Sequence, residues 1–132
     1  VDYPGKFSFL IYTQGCNLSC SFCFSKHLIP IVEGNLSWND IYPYIKSQKH
    51  IEAIVFTGGE PTIHDITPMI QDCLNSGYLV GLHTNGRGDY ISKIIPLVDY
   101  VLLSKYTSDT QNLVMNLKKD TCQVELIDVL YT

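Results

Sequence analysis

The sequence predicts an α/β fold: a partial, open (β/α) barrel whose mainly parallel sheet has about five or six strands. Three observations predict it. Strand-like and helix-like segments take turns along the chain, which implies right-handed crossovers between parallel strands. Glycine-containing or polar turns follow the ends of successive strands. Five such units are too few to close an eight-stranded barrel.

Residues 7–13 (FSFLIYT) form a compact β-rich run that ends at Gln14-Gly15. A loop carrying Cys16, Cys20 and Cys23 follows and reaches to about Asn35. Ser37 is placed to cap a helix over 38–48, which Pro43 is expected to weaken or kink. Residues 51–57 (IEAIVFT) read as a second strand, broken by Gly58-Gly59. Over 66–76, Ile66, Met69, Ile70, Cys73 and Leu74 share one helical face, and Gly77 follows the end. Residues 79–84 are a third strand, stopped by Asn85-Gly86. A short helix over about 90–95 leads to a fourth strand at 100–104. Another helix over about 110–117 precedes a last strand at 124–129. The cysteine loop, Gly58-Gly59-Glu60, Thr84-Asn85-Gly86 and Ser104-Lys105 thus all follow strand C-termini. In parallel α/β folds those ends share one rim, where ligands bind.

The chain has 132 residues, 45% hydrophobic and 17% charged, which suits one globular domain over 1–132 rather than a disordered segment. A formal net charge of −4 argues against a nucleic-acid partner. No run of 18 apolar residues occurs, so no membrane-spanning helix is expected. The opening VDYPGK has neither a signal-peptide pattern nor an initiator Met, so a few residues are expected to be missing ahead of it. Five cysteines, three of them within eight residues, suit metal or cluster ligation in a reducing compartment better than a disulfide framework. A cytoplasmic protein is expected. Cys73 falls on the apolar face of its helix and reads as core, and nothing marks Cys122 as reactive.

The C-x3-C-x2-C spacing of Cys16, Cys20 and Cys23 offers soft thiolates, which select an iron–sulfur cluster or zinc. A structural zinc site closes with four protein ligands, and His27 is the nearest candidate for the fourth. Three thiolates alone can hold three irons of a cubane and leave the fourth iron open to an exogenous ligand.

The segment from Gly15 to Cys23 (GCNLSCSFC) resembles the C-x3-C-x-aromatic-C signature of the radical S-adenosylmethionine (SAM) family. Gly58-Gly59-Glu60-Pro61 resembles the family's second motif, in family order and at family-like separation. The resemblance covers nearly the whole chain. It implies that Cys16, Cys20 and Cys23 bind a [4Fe–4S] cluster and that Phe22 packs beside the SAM adenine. It implies further that Gly58, Gly59 and Glu60 receive the methionine end of SAM, with Glu60 accepting from its ammonium. Thr84-Asn85-Gly86 resembles the TNG motif of glycyl-radical activases, which lines the SAM pocket, and Lys105 matches their lysine after the fourth strand. The chain departs from those activases at His83 and Ser104, where they often carry Asp. In pyruvate formate-lyase activase the corresponding carboxylates bind a monovalent cation beside SAM, and both are lost here. Phe24-Ser25 also replaces the His-Asn common after the third cysteine.

The implied reaction is reductive cleavage of SAM to methionine and a 5′-deoxyadenosyl radical, which abstracts a hydrogen atom from substrate. The opening VDYPGK and Thr13-Gln14-Gly15-Cys16-Asn17 resemble activating proteins of anaerobic (class III) ribonucleotide reductase. On that resemblance the hydrogen comes from a glycine of a partner glycyl-radical enzyme, and the electron from a donor such as flavodoxin or ferredoxin. The alternative within the family is a small-molecule enzyme such as 7-carboxy-7-deazaguanine synthase, which usually carries a longer cysteine-loop insertion. The alternative outside it is a non-catalytic iron–sulfur or zinc binding module.

Overall fold

A computed structural model describes residues 3–13, 37–105 and 108–128, without the side chains of Lys105 and Asp128. Among these residues, five strands form one open sheet: β1 (Ser8–Thr13), β2 (Ala53–Gly58), β3 (Leu79–Thr84), β4 (Tyr100–Lys105) and β5 (Gln123–Asp128). Their order is β1-β2-β3-β4-β5 and every pairing is parallel. The helices are α1 (Trp38–Ser47), α2 (Thr67–Asn75), α3 (Ile91–Ile94) and α4 (Ser108–Leu117), with 3-10 turns at Pro61–Ile63 and Ile95–Leu97. This is the open α/β sheet expected from the alternation of elements. None of the described helices is long and apolar enough to cross a membrane.

Side chains alternate across the sheet with the strand period of two. Ile54 and Phe56, Val80 and Leu82, Val101 and Leu103 pack in one core with Ile45 of α1, Ile70 and Cys73 of α2, Ile94 of α3 and Val114 of α4. The intervening residues Ala53, Val55 and Tyr100 form a second cluster on the other face. Tyr3 covers this cluster, its ring centroid 5.2 Å from that of Tyr100. Gly81 leaves room for that ring, since a Cβ there would lie 3.1 Å from Tyr3 Cδ2. A strand buried on both faces reads as a continuous apolar run, as AIVF in β2 does.

Two local features differ from simple propensity. Pro43 lies inside α1, yet the helix runs on to Ser47. The Trp38 indole N–H donates to Asp72 at 2.8 Å and the Tyr42 hydroxyl donates to the Asp72 carbonyl at 2.9 Å. Anchorage on α2 therefore offsets a proline penalty of about 3 kcal/mol. The short helix expected at 90–95 splits into α3 and a 3-10 turn at Ile95–Leu97, because Pro96 supplies no amide. After α2, Gly77 takes φ +87°, its amide donates to Leu74 and the Tyr78 amide to Cys73, closing the end with a Schellman motif.

Candidate functional site

Strand register decides which chain ends meet. Thr13, the last residue of β1, pairs with Gly58, the last of β2. Phe56 pairs with Leu82, and the same register brings Gly58 level with Thr84, the last residue of β3. Thr84 pairs with Leu103, and β4 runs on to Lys105. The turns Gly58-Gly59-Glu60 and Thr84-Asn85-Gly86 are therefore neighbours on one rim, and Thr13, the last strand residue before the cysteines in sequence, ends beside them. Cys16, Cys20, Cys23 and Phe22 themselves lie outside the described residues, as does the Lys105 side chain.

Gly58 is the tightest point of this rim. Its φ is +101°, and a Cβ would stand 2.6 Å from the Thr13 amide nitrogen and 2.7 Å from its carbonyl oxygen. Only a glycine lets β1 and β2 separate here while their backbones stay this close. The Gly59 amide donates to the Thr13 carbonyl at 3.1 Å. Thr13, the last residue of β1, is thus held directly against the Gly58-Gly59 turn.

Glu60 is 2% exposed, and its carboxylate points into the protein. Oε1 accepts from the Asn85 amide at 2.7 Å. Oε2 accepts from the Thr62 amide at 3.1 Å, from the Thr84 hydroxyl at 2.5 Å and from the Thr62 hydroxyl. The sequence assigned Glu60 to the SAM ammonium; in the structure, protein donors already engage both of its oxygens. Thr84 and Asn85, both buried, meet Glu60 rather than standing free. The Asn85 side-chain oxygen accepts from the Arg87 amide at 2.9 Å, which rounds the turn.

Burial raises the Glu60 pKa above the ordinary carboxyl value, outweighing the lowering effect of its hydrogen bonds. The sign of the pH effect follows. Between the ordinary value of 4.5 and the raised folded value, the native state keeps a proton that the unfolded state has released. Stability is expected to fall as pH rises through that window, with a limiting slope of about 1.4 kcal/mol per pH unit. Urea midpoints measured upward from pH 4.5 should show the decline, and Glu60→Gln should flatten it.

On the face opposite the helices, Thr57 and His83 lie side by side, with Thr57 Oγ1 3.1 Å from His83 Nδ1. Below them, the Tyr100 hydroxyl is buried with no partner at hydrogen-bond distance among the described residues. Burial, with the Glu125 carboxylate nearby, pushes its pKa up to about 12. His83 occupies the position before TNG and makes a polar contact within this surface.

Cys73 is fully buried, and burial, with Asp72 beside it, pushes its thiol up to about 12. Cys122 is also buried and its pKa is raised. Both are free, and neither has the electropositive, accessible setting of a reactive thiol. Cys73→Ala is expected to leave cluster iron per chain unchanged while costing about 1–2 kcal/mol of stability. Iron analysis and a denaturant titration check the two halves.

Sequence reading missed Thr62 and Gly88. Thr62 stands two residues beyond Glu60, the spacing of a local side-chain turn, and that was the available signal. Gly88 is the second glycine of NGRG, and a Cβ there would lie 2.0 Å from Thr62 Oγ1.

The residues fit the cofactors that the resemblance implies. Three soft thiols follow Thr13 within ten residues in sequence, and the Thr13 strand end is packed against the side-chain-free Gly58-Gly59 pair. Comparison with known proteins agrees. The profile of the Radical SAM superfamily matches residues 10–120. A 7-carboxy-7-deazaguanine synthase of Halobacterium salinarum is 38% identical over 84 residues, covering 62% of this chain and 33% of its own length. A Methanocaldococcus jannaschii protein, MJ1227, provisionally named a glycyl-radical enzyme activating enzyme, is 30% identical over 108 residues, covering 78% of this chain and 45% of its own. The chain therefore spans about a third to just under half of these curated relatives. The crystal structure of QueE from Escherichia coli superposes with a TM-score of 0.62 at 20% identity, over 95% of this chain and 76% of that one, which shows a shared fold. With the matched profile spanning most of its length, this chain belongs to the radical SAM superfamily, whose members use a [4Fe–4S] cluster and S-adenosylmethionine.

Proposed function

We propose that this chain is the SAM-cleaving core of an enzyme acting on a small molecule, in the manner of 7-carboxy-7-deazaguanine synthase. The observation that carries this reading is the recurrence of synthases of that name among its relatives, from several organisms and at 35–38% identity. It reverses the order suggested by the opening VDYPGK, which favours an activase. On the face opposite the helices, beside the rim, the half-buried Thr57 and His83 add polar side chains, the mix of polar and apolar lining that suits a small ligand.

In this reading Cys16, Cys20 and Cys23 hold the cluster. When bound there, the cluster would supply the one-electron chemistry of reductive SAM cleavage, the source of the radical that attacks substrate. The chain's own work is placement. The Gly58-Gly59 turn lets backbone approach the ligand, Phe22 packs beside the adenine, and Thr84, Asn85 and Lys105 line the pocket. The buried apolar rows beneath the rim keep water from the reacting atoms. A one-electron donor of the flavodoxin or ferredoxin type completes the system.

The experiment is complementation. The chain, within its full-length protein, is expressed anaerobically in a host lacking its own 7-carboxy-7-deazaguanine synthase, and the product is sought by mass spectrometry. Restored product supports the proposal. A second reading, generation of a glycyl radical on a partner such as anaerobic ribonucleotide reductase, is favoured by the match over 108 residues to the M. jannaschii protein. It predicts no restored product, and a glycyl-radical doublet by electron paramagnetic resonance when the protein, SAM and reductant meet the reductase from the same genome. Failure of both, with 5′-deoxyadenosine also absent from cluster-loaded protein, would leave the binding module.

A further inference from the structure

Glu60 bonds to Thr84 and Asn85, which lie 24 and 25 residues further along the chain. One carboxylate oxygen faces the Asn85 amide and the other faces the Thr62 amide, so each oxygen meets a backbone N–H from a different turn. Two independent contacts lace the same turns. The Tyr90 amide donates to the Thr62 carbonyl at 2.9 Å. Gly88 lies so close to Thr62 that a Cβ would stand 2.2 Å from the carbonyl carbon. Thr84 extends the chain of bonds, since its hydroxyl donates to Glu60 and accepts from the Gly86 amide at 3.0 Å. Gly86 in turn abuts Thr110 of α4 and Leu103 of β4, its would-be Cβ 3.0 and 3.1 Å from them.

We propose that Glu60 is a positioning residue: its carboxylate clamps the 84–86 turn to the 58–63 turn and sets both halves of the pocket before SAM arrives. This rests on the SAM-site reading of those turns. The physical gain is preorganisation. An Asn-Gly turn ordered in advance loses no conformational freedom when the ligand binds, so affinity improves without a direct contact. Turning the carboxylate out of this network toward a ligand would leave the buried Asn85 and Thr62 amides unsatisfied.

Hydrogen exchange separates the two roles. Cluster-reconstituted protein is compared without SAM as wild type, Glu60→Gln and Thr84→Val, following a peptide that spans residues 84–88. The Gln amide has one acceptor oxygen, so its NH2 must face one of the two backbone N–H groups. Exchange in Glu60→Gln is expected to rise about ten- to hundred-fold before any SAM is added. SAM affinity should fall with it, and saturating SAM should restore protection. Thr84→Val should show a smaller version of both effects, and the double variant should be no worse than Glu60→Gln alone. Unchanged SAM-free exchange with lost affinity would overturn the clamp and make Glu60 a direct ligand. Faster exchange throughout β2 and β3 that SAM does not reverse would also overturn it, showing a general packing role. Should Glu60→Gln not fold, Thr84→Val decides, and unchanged exchange with unchanged affinity refutes the proposal. Wild-type protein that binds no SAM would sink the underlying site reading instead, while the exchange result still judges the clamp.

Discussion

Replacing Cys16, Cys20 or Cys23 by alanine, one at a time, is expected to abolish SAM cleavage and to reduce reconstituted cluster iron to background. The reasoning lies in the donor set. On the proposed assignment each thiolate would hold one corner of a cubane, and the two described cysteines could not replace one, because Cys73 and Cys122 are buried free thiols in the core. Substituting one of three ligands leaves an iron that solvent can reach and remove. Anaerobic reconstitution, iron and sulfide analysis, and chromatography for 5′-deoxyadenosine make the measurement. A single variant that keeps both cluster and cleavage would displace that cysteine from the ligand set. A zinc site in natively isolated protein would displace all three.

Gly58→Ala is expected to cost at least about 3 kcal/mol of stability, roughly 10 °C in melting temperature for a chain of this size, and to eliminate SAM binding. Two effects act together. A φ of +101° is strained for any side-chain-bearing residue, and the new Cβ would meet the Thr13 backbone at 2.6 Å. Backbone has no rotamer with which to retreat, so the β1–β2 pairing must open where the cysteine loop begins. Gly77→Ala serves as the control, because it shares the positive φ while its Cβ would meet nothing within 4 Å. It should lose only the conformational part, about 1–2 kcal/mol, and keep SAM binding. Calorimetry and SAM titration of the two variants separate strain from collision. Equal losses would show that the collision with Thr13 contributes nothing.

The alternation of elements was legible because strand and helix periods differ and because glycine or proline marks most boundaries. The third strand and its Asn85-Gly86 stop lie where the pattern put them. Apart from Pro43 and the helix that splits at Ile95, propensity misjudged the edges of the described elements. The second strand begins at Ala53 rather than residue 51 and runs one residue into the glycines, since its limits are set by pairing with β1 and not by its own composition. The Cys73 assignment to the core was equally readable, because one-face spacing on a helix fixes which residues turn inward.

By itself the sequence determined the parallel α/β order and the grouping of the Gly58-Gly59-Glu60 and Thr84-Asn85-Gly86 turns at strand ends, and with the C-x3-C-x2-C spacing these were enough to indicate the superfamily. Each is encoded within a few neighbouring residues, by spacing, by turn chemistry or by period. Tertiary structure alone decided what Glu60 does with its carboxylate, that Thr62 and Gly88 seal the seam between two turns, and that Tyr3 caps the second core. Those outcomes depend on which strands pair and in what register. Contacts between residues more than 20 positions apart acquire their energy only after the sheet has brought them together.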